Sequence, residues 1–168
     1  MNKIFIVFVF SVFLFGCGGD NLITKGNGTG LLENNIEISL GTDKWRMELP
    51  DNWEKLKAFP EKGIIFLARK GTQNIVITNE KGFTENIIER LFKTLKEDLP
   101  IVTEVFKDEN SLIFRGKLSS TTPMREFYQK VSGLSDGDGF LLISCSEEVV
   151  NLDNLECSEI LDSFVFVE

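Results

Sequence analysis

The chain predicts an α+β fold, and three features of it carry that reading. Short runs of alternating apolar and polar residues recur in pairs, joined by turns rich in Gly, Asp and Asn, which is the mark of antiparallel hairpins. One stretch, residues 84–99, switches to a helical period. A second apolar stripe near the end, residues 152–164, reads as another helix.

Taken in order, residues 36–40 (IEISL) and 45–49 (WRMEL) alternate on either side of Gly41-Thr42-Asp43 and form a first hairpin. Pro50-Asp51-Asn52-Trp53 ends the second of these strands, because Pro lacks a backbone donor and Asp and Asn favour turns. Trp53 is expected to cap an edge of the core, with ligand stacking as the alternative. Residues 64–69 and 74–78 make the next pair across Lys70-Gly71-Thr72-Gln73. Between residues 84 and 99, Ile87, Ile88, Leu91, Phe92, Leu95 and Leu99 share one helical face. Thr84 is the expected N-cap and Pro100 the stop. This stripe is expected to cover a sheet face rather than a membrane. Strands resume at 101–106, 112–118, 125–131 and 140–145. Ser135-Asp136-Gly137-Asp138-Gly139 reads as a hairpin turn, since it lacks the remaining acidic positions and closing glutamate of a calcium loop. Residues 165–167 add a short closing strand.

The N-terminus speaks to location. Lys3 gives a positive start, and residues 4–15 are apolar apart from Ser11. That run is too short for a bilayer core of about 30 Å, which needs roughly twenty helical residues, so it fits the apolar region of a secretory signal. Leu14-Phe15-Gly16-Cys17 resembles the lipobox of bacterial lipoproteins, although Phe15 is bulkier than the small residue usual there. The resemblance implies cleavage between Gly16 and Cys17, a diacylglyceryl group on the Cys17 thiol and acylation of the new amine. Several chains are needed because each buried CH₂ contributes about 0.8 kcal/mol and one chain holds a protein only marginally. The alternatives are an ordinary cleaved signal or an N-terminal membrane helix. Gly18 lacks the aspartate that resembles an inner-membrane retention signal, so in a Gram-negative cell the periplasmic face of the outer membrane is expected. The organisation is then a signal peptide at 1–16, a lipidated cysteine and Gly- and Asn-rich tether at 17–35, and one domain at 36–168.

Composition narrows the function classes. The formal charge is −8, and loss of Lys3 with the signal makes it −9. Such a chain is not a phosphate-backbone binder, which would need clustered Lys and Arg, so no nucleic-acid partner is expected. There is no histidine, which excludes Ser-His-Asp, Cys-His and HExxH chemistries. No cofactor and no metal site are expected. With Cys17 used for lipid, Cys145 and Cys157 remain. In an oxidising envelope a leftover pair is expected to bridge, closing a loop of about 13 residues, with two buried free thiols as the alternative.

The order of hairpin, Leu49-Pro50-Asp51-Asn52-Trp53 turn, strands, amphipathic helix, antiparallel run and closing helix ending Ile160-Leu161-Asp162-Ser163-Phe164 resembles the Mog1/PsbP-like superfamily, including bacterial DcrB-like lipoproteins. The resemblance implies a central antiparallel β-sheet flanked by helices, an α/β/α sandwich. It carries no catalytic residue set, and members serve as assembly factors, extrinsic subunits, binders and chaperones.

Three functions follow as expectations. The first is a non-enzymatic accessory module for an envelope protein partner, an assembly factor or an immunity-type protein among its variants, held to the membrane by Cys17. The second is a binder of a small apolar ligand or lipid in a sheet–helix cleft, suggested by Phe59, Phe66, Phe83, Phe92, Phe106, Phe114, Phe127 and Phe140. The third, least expected, is an enzyme using a carboxylate pair such as Glu147-Glu148 in the manner of a glycosidase.

Overall fold

Strand pairing, more than helix packing, organises this protein. The computed structural model describes residues 35–82, 85–149 and 156–167. In chain order its strands are β1 (Asn35–Leu40), β2 (Asp43–Glu48), β3 (Glu54–Lys55), β4 (Ile64–Lys70), β5 (Gln73–Lys81), β6 (Ile101–Lys107), β7 (Ser111–Lys117), β8 (Arg125–Gly133), β9 (Gly139–Glu148) and β10 (Val165–Val167). Helix α1 (Ile87–Asp98) joins β5 to β6, and α2 (Glu156–Ser163) precedes β10. A seven-stranded antiparallel sheet has the order β3-β4-β5-β9-β8-β7-β6, and a three-stranded sheet the order β1-β2-β10.

This corrects the expected fold class. The described residues hold ten strands in two sheets and only two α-helices, so the molecule is mostly β rather than an α+β sheet sandwiched between helices. The reason lies in the first hairpin. β1 and β2 are apolar on one side only, with Ile36, Ile38, Trp45 and Met47 buried, Leu40 half-buried on the same side and the alternate residues exposed. A one-sided strand pair belongs over a sheet rather than within it. β2 takes β10 as its second neighbour, Phe166 standing opposite Trp45, and the trio becomes a second sheet.

The large sheet is covered differently on its two faces. On the first, alternate residues Ile75, Ile77, Leu141, Ile143 and Cys145 meet the β1-β2-β10 sheet and Cys157, Ile160 and Leu161 of α2. On the second, Phe114, Phe127, Val131, Phe140 and Leu142 meet Ile87, Ile88, Leu91, Phe92 and Leu95 of α1. Each such side chain contributes about 1.5–3 kcal/mol on burial. Phe114 and Phe127 stack with ring centroids 4.7 Å apart, which fixes the β7–β8 register from inside. β9, central and covered on both faces, is buried from Gly139 to Glu147. Gly139 has to be glycine, since a Cβ there would stand 2.5 Å from the Glu80 carbonyl oxygen across the strand.

The first helix is shorter than its periodicity suggests. α1 begins at Ile87, with Asn86 at φ 55° in the N-cap position and no side-chain cap bond. Asn tolerates that left-handed conformation. Thr84, the expected cap, lies outside the described residues, as does the expected first turn of the second helix before Glu156. The strands run close to their expected spans, and the short β3 and a 3-10 turn at Pro60–Lys62 went unanticipated.

Candidate functional site

The expected site residues separate into three groups. Gly16 and Cys17 lie outside the described residues, together with the tether up to residue 34. Cys145 and Cys157 are joined, their Cα atoms 5.6 Å apart, and the bridge fastens α2 to β9. Glu147 and Glu148, adjacent in sequence, point to opposite faces of β9. Glu148 pairs with Arg125 at 3.7 Å on the α1 face, and Glu147 is fully buried on the other. The two carboxyls therefore do not work as a pair.

Glu147 instead meets Glu126, the residue directly opposite it on β8. Around them lies a buried polar cluster. Arg115 Nε donates to Glu126 Oε2 at 2.5 Å, and the Tyr128 hydroxyl donates to Glu126 Oε1 at 2.7 Å. Gln73 Nε2 donates to Glu147 Oε2 at 2.9 Å, and Glu147 Oε1 has no hydrogen-bond partner among the described residues. Nearby, Glu156 at the start of α2 accepts from Trp53 Nε1 at 2.9 Å and pairs with Lys70. Burial raises the Glu147 pKa, the bond from Gln73 opposes this, and the charges of Glu126 and Glu156 push it further up. Burial likewise pushes the Tyr128 phenol up. These groups bind one another, and with Glu147 at zero exposure they present no carboxyl pair to a substrate. The expectation that a carboxylate pair is visible in sequence fails here for a simple reason: the meeting is across strands, 21 residues apart in the chain.

Trp53 is buried and committed to Glu156, so it caps the core and leaves no face for a ligand. The Ser135–Gly139 segment is a hairpin turn whose carboxylates serve the backbone, Asp136 Oδ1 accepting from Asp138 N at 2.9 Å. Asp43 accepts the Ser135 N–H at 2.8 Å and the Ser135 hydroxyl, which hold its carboxyl below the usual range and lock this turn to the small sheet. Of the phenylalanines, Phe92, Phe114, Phe127 and Phe140 are core, and Phe83 lies outside the described residues. Phe59 and Phe66 are half-buried, and Phe106 is exposed at 49 %, as is Phe166 at 48 %.

Phe106 marks the surface feature that sequence reading missed. β6 is the outermost strand of the large sheet, and Ile101, Val105 and Phe106 on it are all exposed. Inward of Phe106, a cleft of about 290 Å³ opens between β6–β8 and α2. The signal was available in part: 101–106 carries apolar residues on both alternating sets, more than a one-sided edge strand needs.

No family model matches the chain, and no curated protein matches it. A solved crystal structure from Bacteroides thetaiotaomicron VPI-5482 is similar at 14% identity with a TM-score of 0.46, over 74% of this chain and 45% of that one. The chain thus spans less than half the length of that protein.

Proposed function

We propose that the protein is a lipid-anchored bacterial envelope module, held by Cys17, that binds a protein partner and performs no chemistry itself. The observation that carries this reading is β6, which ends the large sheet with no further strand beside it among the described residues and exposes Ile101, Val105 and Phe106. Val165 and Phe166 on β10 are exposed to the same degree, and exposed large apolar side chains support an interaction surface. The commitment of the buried carboxylates to internal partners agrees with a non-enzymatic role. Among the described residues no helix is long and apolar enough to cross a membrane, and the resemblance of residues 14–17 to a lipobox supplies the attachment.

The test has two parts. Intact mass of membrane-extracted protein is expected to show loss of residues 1–16 and acyl mass on Cys17; an uncleaved Met1 or an unmodified Cys17 rejects the anchor. In-cell cross-linking of tagged protein, with Cys17→Ala as control, is expected to recover one envelope protein from the anchored form only. Recovery of no partner at full expression rejects the accessory role.

A further inference from the structure

Each sheet has two outermost strands, and β6 differs from the other three. β3 is two residues long and both are charged, Glu54 and Lys55. β1 exposes Asn35, Glu37 and Ser39, all polar. β10 exposes Val165 and Phe166 but has only three residues. β6 has seven, with β7 on one side and no strand on the other among the described residues. Short, charged or polar edges resist pairing with another chain, and a longer apolar one invites it.

The side chains of β6 are symmetric about Thr103. By alternation Ile101, Thr103 and Val105 share one face of the sheet, and Val102 and Glu104 the other. All three on the first face are exposed. The register shift between Glu104 and Phe106 brings Phe106, opposite Ile113, to the face of Thr103, which stands opposite Arg115. Glu104 is the only charged residue from Ile101 to Val105, and Lys107 of the same chain lies 3.5 Å from its carboxylate.

We propose that β6 pairs antiparallel with β6 of a second copy of this chain, about a two-fold axis through Thr103, joining two large sheets edge to edge. In that register Ile101 stands opposite Val105 of the second copy, and Val102 opposite its Glu104. Two constraints select it. Residues opposed in an antiparallel ladder share a face, so the axis passes through a residue rather than between two. With the axis through Glu104 or Val105, the register shift opposes residues of different faces, and through Glu104 two carboxylates also meet. Through Val102 only Ile101 to Thr103 are paired. Through Thr103 the whole run from Ile101 to Val105 is paired, and the exposed Ile101 and Val105 cover each other twice, with Phe106 beside them. A patch that is its own complement closes into a pair and does not propagate. Five residues a side, against the roughly 20–30 of a stable complex, make a weak pair that confinement of both copies to one membrane favours.

This inference rests on the partner-binding reading and names a second copy as what covers β6; its test separates the two. Thr103→Cys is introduced into the full chain and expressed in cells with an oxidising envelope. Opposed residues of an antiparallel pair have Cα atoms about 4.5–5.5 Å apart, within disulfide reach. A covalent dimer on non-reducing gels is expected, several-fold above that from Asp51→Cys, an exposed turn residue outside β6. Differently tagged Ile101→Cys and Val105→Cys chains, expressed together, should cross-link to each other, and each alone should stay monomeric. Val105→Glu added to Thr103→Cys sets a carboxylate opposite Ile101 and should lower the dimer to the Asp51→Cys level. Equal dimer from Thr103→Cys and Asp51→Cys, self-cross-linking of Ile101→Cys at the level of the mixed chains, or indifference to Val105→Glu overturns the pairing. If one of those results is obtained while cross-linking of the wild type recovers a different envelope protein, the binding role stands and the second copy is wrong. If no protein is recovered either, both readings fall.

Discussion

Glu80 shows how a single side chain sets a pH dependence. It lies near the end of the interior strand β5, and burial pushes its carboxyl from 4.5 up to about 7. The folded protein therefore holds this proton more tightly than the unfolded chain does. Stability from this group is complete below about pH 4.5 and is lost as pH rises to about 7. Replacing it by Gln removes that slope. Glu80→Gln should gain about 1 kcal/mol relative to wild type between pH 5 and pH 8, the unscreened figure being reduced for partial solvent access. Urea midpoints at the two pH values check this, and an identical difference at both would show that Glu80 is not the titrating group. Glu147 has the same direction of shift, so the wild type should lose further stability as pH rises. Nothing in the local sequence distinguishes Glu80 or Glu147 from the exposed glutamates: period-2 alternation says which face a residue takes, not what covers that face.

At the scale of elements, α2 depends on its tethers. Its described part is eight residues, about two turns, and three buried apolar residues hold it down: Cys157, Ile160 and Leu161. A helix of this length does not form alone in water. The Cys145–Cys157 bridge spans a sequence separation of 12, for which the chain-entropy account gives about 3 kcal/mol. Cys145→Ser/Cys157→Ser, compared with wild type in urea without reductant, should lose about 2–4 kcal/mol, and the wild type in reductant should lose a similar amount. A change below 0.5 kcal/mol would mean that packing and the Lys130 bonds to the last carbonyls suffice. The cysteine pair was readable from the cysteine count, given the expected oxidising compartment. That it anchors a helix to the central strand was readable only in outline, since the outcome depended on where β9 sits in the sheet.

For the whole molecule, the question is what joins the two sheets. Trp45 on β2 has no exposed surface, is stacked on Phe164 at 6.5 Å and is edge-on to Phe166 at 5.6 Å. Its Nε1 donates to Ser132 Oγ on β8 at 3.0 Å, a bond between the sheets over 87 residues of chain. Trp45→Ala should cost about 3–5 kcal/mol, and Trp45→Phe less, by retaining an aromatic ring and losing chiefly the hydrogen bond. Chemical denaturation with near-UV circular dichroism would show it. Equal losses in the two variants would place the energy in the Ser132 bond rather than in packing. Because β1 and β2 close on a strand at the far end of the chain, the small sheet cannot be completed until β10 is in place.

The sequence by itself determined where most strands lie, which helix face is apolar, the turns, and which chemistries the absence of histidine rules out. Those are properties of period and composition, and they act over a few residues. Only the tertiary structure decided that the first hairpin leaves the main sheet to pair with Val165–Val167, that Glu147 meets Glu126 rather than Glu148, and that β6 is the last strand of the large sheet among the described residues. Each of these is a choice of neighbour between segments distant in the chain, set by which one-sided apolar surfaces must cover one another. A two-residue alternation constrains the faces of a strand and leaves its neighbours free.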